Sequence, residues 1–342
     1  MESFRKRFGK LGAFPTIGGF RGHRNVTLPQ VTYSANLFEN VACPLCGGSD
    51  QEVIKPAKYP ANISAEELER AFSASSDHQL LDQVVRCRAC DMYFLSPRPK
   101  SDLIIRGYSD AVDPVFVAQN PQRVEVFTRN LRSALKSIGW DSGAGKSFLD
   151  VGCAGGASLV AARTLGFEVT GIEPSRWMAE FGRKTYGVDI RQGTLEADTF
   201  APQSFDLISL WDVLEHIPDP NELLRIVLGL LKPGGVFIVT YPDIGSLAQK
   251  ILRDRWPFWL SVHLNYYTPK TMRVQLEKSG FQVLEFRSYW MTLPLHYTLE
   301  RAAAYIPPMG AVAKLVRGVG LGNLSFTYNM GQTLVITRAR TS

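Results

Sequence analysis

From residue 147 onward, short apolar runs alternate with stretches of helical periodicity, and that alternation restricts the fold more than any other feature of the chain. "SFLDV", "EVTGI", "DIRQ", "FDLISLW", "GVFIVT", "QVLEF" and "TLVITR" read as strands, with helices expected over 157–165, 175–186, 220–231 and 268–279. Strands spaced by helices bury both faces of a parallel sheet, so the expected class is α/β. With 342 residues and 45% hydrophobic content, the chain has enough apolar material for one large domain and a smaller one. Ahead of the sheet, residues 101–145 read as a helical connector, because Val124, Phe127, Leu131, Leu135 and Ile138 recur at three- and four-residue spacing. Two segments interrupt the alternation, at about 244–267 and 288–326. The first is the aromatic stretch "GSLAQKILRDRWPFWLSVHLNYY". Such insertions are where a rigid scaffold carries its specificity.

Charge separates the tail from the body. The formal net charge is +6, and Arg5, Lys6, Arg7, Lys10, Arg21 and Arg24 stand against only Glu2 in the first thirty residues. The remainder is nearly neutral, so residues 1–40 are expected to be a basic, flexible tail, and the body does not read as a nucleic-acid-binding surface. No apolar region followed by a small-residue cleavage site occurs near the start, and the apolar runs are too short to span a bilayer; a cytoplasmic protein is expected. Weak contact with anionic lipid stays open for the tail. It stays open also for "MTLPLHYTLERAAAYIPPMGAVAKLVRGVG", where Arg301, Lys314 and Arg317 stand against Glu300. Oligomeric state is not encoded in any pattern of this kind.

The glycine-rich stretch "FLDVGCAGGAS" follows the first strand. A dinucleotide fingerprint would need glycine at positions held here by Gly152, Ala154 and Ala157, and that register is poorly met. Asp150 ends the strand, where its carboxylate disfavours a pyrophosphate and suits a cofactor carrying ammonium and sulfonium charges. Glu173 ends the next strand, where an acid can accept hydrogen bonds from ribose hydroxyls. Together these residues favour S-adenosylmethionine over a nicotinamide dinucleotide, with a tight turn that binds nothing as the remaining reading.

"FLDVGCAGGASLVAARTLGFEVTGIEPS", "FDLISLWDVLEHIPDP", "LKPGGVFIVTYPD" and "LEKSGFQVLEF" resemble, in order and spacing, the successive motifs of class I S-adenosylmethionine-dependent methyltransferases, over about residues 146–342. The resemblance implies a Rossmann-like seven-stranded sheet of order 3-2-1-4-5-7-6 with the last strand antiparallel. It places Asp150, Gly152, Cys153 and Ala154 at the methionine end of the cofactor, Glu173 at the ribose, Thr194 and Leu195 at the adenine, and Trp211 and Asp212 beside the cofactor after the fourth strand. The family's usual first loop is D-x-G-C-G-x-G, so Ala154 departs from it at the middle glycine.

Two C-x-x-C pairs, Cys43 with Cys46 and Cys87 with Cys90, can present four thiolates to one tetrahedral ion, which points to structural zinc and a small N-terminal zinc-ribbon module over 41–100. Reduced thiols or a redox dithiol are the competing readings. "VRCRACDMYFLSPRP" also resembles the N-terminal zinc module of bacterial methyltransferases that include sugar-modifying enzymes. Loss of zinc is expected to unfold this module and leave the cofactor loop intact. Cys153 reads as a small buried residue.

A hydroxyl acceptor needs a destination for its proton, and His216 in "LEHIPDP" and His263 in "WLSVHLNYYTP" are the candidate base or positioning groups, with packing roles as the alternative for each. Trp256, Phe258, Trp259, Tyr266 and Tyr267 are either a stacking platform or the core of the insertion. The function these features support is methyl transfer to a small-molecule acceptor, a hydroxyl of a sugar or glycan-type metabolite, which could be lipid-linked. The alternatives are an RNA or protein methyltransferase docking through the zinc module, and a non-catalytic cofactor-binding or membrane-surface protein.

Overall fold

The computed structural model describes residues 37–59, 63–71, 80–109, 112–303, 308–322 and 324–340. The basic tail lies outside the described residues as far as residue 36. Phe38 and Glu39, inside the span of 1–40 expected for the tail, form a strand.

The N-terminal region comprises β1 (Phe38–Glu39), β2 (Gln51–Lys55), α1 (Ala65–Ala71), β3 (Val84–Cys87), β4 (Tyr93–Leu95) and β5 (Arg98–Pro99), and β1 pairs with β5. The connector is three helices, α2 (Ser101–Ser109), α3 (Pro114–Val117) and α4 (Asn120–Ser137). In α4, Val126, Leu131, Ala134 and Leu135 are buried, the face marked by the apolar spacing.

The alternating region follows as β6 (Ser147–Val151), α5 (Ala157–Thr164), β7 (Glu168–Glu173), α6 (Arg176–Tyr186), β8 (Asp189–Gln192), β9 (Phe205–Trp211), α7 (Pro220–Leu230), β10 (Leu231–Pro242), α8 (Leu247–Leu252), β11 (Asn265–Tyr266), α9 (Pro269–Lys278), β12 (Phe281–Ser288), β13 (Met291–Pro294), α10 (Leu295–Ala302), α11 (Met309–Gly318), β14 (Ser325–Tyr328) and β15 (Gln332–Ala339). Seven of these strands form one sheet, ordered β8-β7-β6-β9-β10-β15-β12. The five from β8 to β10 are mutually parallel, and β15 runs antiparallel to both of its neighbours. Numbered along the chain within the sheet, that order is 3-2-1-4-5-7-6. β6, β9 and β10 are almost wholly buried, as strands covered on both faces must be, which explains their near-continuous apolar sequence.

Helix starts are chemically marked. Ser175 accepts from the Met178 amide, Asp219 precedes Pro220 and accepts from Asn221 and Glu222, and Thr268 forms a capping box with Thr271.

The N-terminal region is not separate from the rest. β2, β3 and β4 form a sheet whose fourth strand is β11, supplied by the aromatic insertion. Cys43, Leu45, Val85, Met92 and Phe94 share one core with Leu214, Leu223, Tyr267 and Met272. The carbonyls of Pro44, Leu45 and Pro218 accept from Asn221, Lys278 and Arg98, respectively, across the same junction. The second insertion folds as the antiparallel pair β13–β14 with α10 and α11, elements not expected from the apolar periodicity.

Candidate active site

The strand order reverses beside β6, which has β7 on one side and β9 on the other, so the crevice at the carboxyl ends of these strands is where a ligand fits an open α/β sheet. Asp150 is 2% exposed and sits in register with Ser209. The Ser209 hydroxyl donates to it at 2.6 Å, and Ser158 from the first turn of α5 donates to its other oxygen. Burial pushes the Asp150 carboxyl up to about 7, against the pull of both hydroxyls.

The glycine loop is shaped by backbone demands that the motif alone does not spell out. Gly152 has φ +71°, and a Cβ there would lie 2.7 Å from Val213. Gly156, at φ +79°, is the N-cap of α5. Ala154 also adopts a left-handed backbone, φ +47°. The glycine expected at this position is therefore a conformational requirement, which Ala154 meets under strain. Its amide donates to Glu173 at 2.8 Å, and the other oxygen of Glu173 accepts from the Ser175 amide at 2.8 Å. Burial raises the Glu173 carboxyl to about 7 as well. Cys153 is buried against Gly171, where an added Cβ would have no room, so it behaves as a small core residue.

These groups line one cavity of about 610 Å³, together with Thr194, Leu195, Trp211, Asp212 and His216. Every residue assigned to the cofactor from sequence is on its wall. Trp211 lies between Phe127 and Tyr289, with ring centroids 4.9 and 5.8 Å away. Asp212, at φ +54°, accepts from Thr240 at 2.9 Å and Gln332 at 2.6 Å, and burial raises its carboxyl to about 6. The connector also contributes to the wall, with Phe116, Asn120, Arg123 and Phe127. The Asn120 amide reaches the Gly155 carbonyl at 3.3 Å and ties that wall to the glycine loop. Sequence reasoning did not assign these four to the site: Phe127 was legible only as part of the connector's apolar stripe, and nothing local marks Phe116, Asn120 or Arg123 as facing a cavity.

A cationic nucleoside fits this wall. Two buried carboxylates lack a cationic side chain within hydrogen-bonding distance among the described residues, and the cavity is mainly apolar elsewhere. S-adenosylmethionine would bring its ammonium and sulfonium toward Asp150 and its ribose toward Glu173, each carboxylate oxygen still having a lone pair to offer.

His216 and His263 are brought together, with ring centroids 4.7 Å apart. His216 is on the cavity wall, and His263 stands behind it. The Nδ1 atoms pair with the carbonyls of Val262 and Phe258, both at 2.9 Å. Burial lowers the His216 imidazole to about 4 and that of His263 well below its usual value, so both rings are neutral at physiological pH. Of the aromatic series, Trp256, Trp259, Tyr266 and Tyr267 are buried in packed cores, and none of the five residues is on the cavity wall. The structure thus decides for a core in the insertion, and against a stacking platform.

The four cysteines converge. Their sulfurs all lie within 4.8 Å of one another, with Cys43 to Cys90 at 3.4 Å and Cys46 to Cys87 at 3.5 Å. A tetrahedral zinc with Zn–S bonds of about 2.3 Å spaces its sulfurs by about 3.8 Å, so the donors fit such an ion after shifts of no more than about 1 Å. Two tight turns present them: the Gly47 amide donates to Cys43 O at 2.8 Å, and the Asp91 amide to Cys87 O at 3.0 Å. Backbone amides also point at the sulfurs, those of Leu45 and Cys46 at Cys43 and that of Met92 at Cys90.

Residues 122–285 match a family model described as a methyltransferase domain. The chain is 38% identical over 104 residues to a ubiquinone biosynthesis O-methyltransferase of Pseudomonas entomophila (strain L48), a match covering 28% of this chain and 45% of that one. It is also 38% identical over 103 residues to the enzyme of the same name from Paraburkholderia phymatum, covering 28% and 44%. The chain thus spans less than half the length of these relatives. A solved structure of an S-adenosylmethionine-dependent methyltransferase from Archaeoglobus fulgidus is similar at 17% identity and a TM-score of 0.44, covering 66% of this chain and all of that one. The similarity to a methyltransferase domain thus covers residues 122–285, slightly under half of the chain, and falls on the strands and helices that line the cavity.

Proposed function

We propose that this protein transfers a methyl group from S-adenosylmethionine to a hydroxyl of a small-molecule acceptor, a sugar or glycan-type metabolite. The observation that carries the reading is a single cavity lined by Asp150 and Glu173 together with Asp212 and His216. When bound, S-adenosylmethionine supplies an electrophilic methyl group on a positively charged sulfur. Asp150 holds the amino-acid end, Gly152, Cys153 and Ala154 shape the backbone beside it, Glu173 holds the ribose, Thr194 and Leu195 flank the adenine, and Trp211 and Asp212 close the site. Methyl transfer is an in-line displacement, so these residues contribute mostly position and a water-poor setting. His216, on the cavity wall, positions the acceptor oxygen, and His263, packed against its ring, holds it in place. Their burial makes them weak bases, which favours positioning over proton abstraction.

Oxygen as the accepting atom is supported by relatives named as O-methyltransferases. The sugar class rests on the resemblance of the cysteine module, whose four thiolates would hold one structural zinc. We infer domains at 41–100, 101–145 and 146–342, with β1 and β11 added to the first as packing partners. No helix among the described residues is long and apolar enough to cross a membrane. A lipid-linked acceptor is a second reading, favoured by the exposed Leu315 and Val319 next to Lys314 and Arg317 on and just after α11.

The test is incubation with methyl-labelled S-adenosylmethionine and separated cellular fractions. Label is expected in a polar metabolite fraction, or in the lipid-linked glycan fraction for the second reading. Label confined to RNA or protein, or none at all, would sink the proposal.

A further inference from the structure

Beside the cavity lies a group of side chains that cofactor binding does not use. Glu215 is 1% exposed, and neither of its carboxylate oxygens has a hydrogen-bond partner among the described residues. A buried, unsatisfied carboxylate is costly and calls for a compensating positive charge or a proton. No lysine or arginine answers it among the described residues. What stands beside it is a pair of imidazoles: Glu215, His216 and His263 each place one donor atom so that all three lie within 4.8 Å of one another.

The orientation of the two rings is informative. Each Nδ1 faces a backbone carbonyl at 2.9 Å, and a carbonyl can only accept, so Nδ1 carries the proton in both rings. Nε2 is then the nitrogen with the lone pair. A histidine whose Nδ1–H is anchored on a carbonyl has the outer-shell arrangement of an imidazole that ligates a metal through Nε2.

From this geometry we propose that Glu215, His216 and His263 bind a divalent transition-metal ion, distinct from the four-cysteine site, at the edge of the cofactor cavity. Two imidazoles and one carboxylate are a nitrogen and oxygen donor set suited to zinc, cobalt, iron or manganese, whereas four thiolates select zinc. Bonds of about 2.1 Å bring such donors to separations of about 3–3.5 Å, a contraction of no more than about 1.8 Å from the present limit, within reach of side-chain rotation. Because His216 is also on the cavity wall, the ion faces the space left for an acceptor. Resting on the hydroxyl-methylation reading, its role there would be to bind the acceptor oxygen and lower the hydroxyl pKa. The proton leaves to water, the oxygen forms its bond to the methyl carbon, and the carbon–sulfur bond breaks with its electron pair going to sulfur.

The experiment uses the full-length protein with its cysteine site loaded with zinc, titrated with Co²⁺ and followed by visible absorption and elemental analysis. One further equivalent of Co²⁺ is expected, with ligand-field bands and no thiolate-to-cobalt charge transfer. Glu215→Gln and His263→Gln should each weaken binding at least tenfold while retaining their zinc and their affinity for S-adenosylhomocysteine, which shows that the fold survives. No Co²⁺ bound beyond the thiolate site, a charge-transfer band, or unchanged Co²⁺ affinity in both variants would overturn the site. The last outcome would mean that Glu215 is protonated and holds a trapped water. Since Co²⁺ binding needs no turnover, failure here is distinguishable from failure of the methyl-transfer reading, which label transfer reports.

Discussion

At the residue scale, Ala154 shows how a single dihedral angle changes the meaning of a motif. In sequence it is a glycine position filled by a slightly larger residue. In the fold it is a left-handed alanine whose amide anchors Glu173. Alanine in that conformation costs about 1–2 kcal/mol, part of which glycine would return through its more flexible unfolded chain. Ala154→Gly should therefore raise stability by up to about 1 kcal/mol in urea unfolding. It should change cofactor affinity by less than tenfold, about 1.4 kcal/mol.

Asp150 and Glu173 carry a second prediction. Burial raises both carboxyls to about 7 in the ligand-free protein, so protonated forms accumulate as pH falls through neutrality. A cation bound beside them favours the ionised forms. Affinity for S-adenosylmethionine should consequently weaken as pH is lowered from 8 to 6, with proton release on binding near pH 7. Calorimetry in buffers of different ionisation enthalpy measures both. Binding that strengthens on acidification would show that these carboxylates do not face the cofactor's charge.

At the scale of elements, the strand with most consequence is the two-residue β11. It pairs with β4, so a segment far along the chain completes the sheet that carries the third cysteine. Tyr267, next to it, packs in the same core as Cys43 and Cys87. Removing metal from the cysteine site should therefore loosen residues 256–267 along with 41–100, seen as faster amide exchange in both segments. The narrower expectation confined unfolding to the N-terminal module. Exchange that rises only in residues 41–100 would restore it. β6 and the glycine loop are held by β7 and β9 and should keep their protection.

For the whole molecule, the sequence by itself determined the class of fold, most element positions and the set of loop residues that meet at the carboxyl ends of the strands. Period-two and period-3.6 apolar patterns are local, and the loop residues are adjacent to the strands that present them. The strand order came from family resemblance, because hydrogen-bond pairing between β10, β15 and β12 joins segments that no local period relates. Only the tertiary structure decided the rest. It put Phe116, Asn120, Arg123 and Phe127 on the cavity wall, made the aromatic insertion a core, joined that insertion to the cysteine sheet, and set His263 beside Glu215 and His216. Each of these depends on contacts between residues distant in sequence, where burial and desolvation, set by what packs around a group, assign its role.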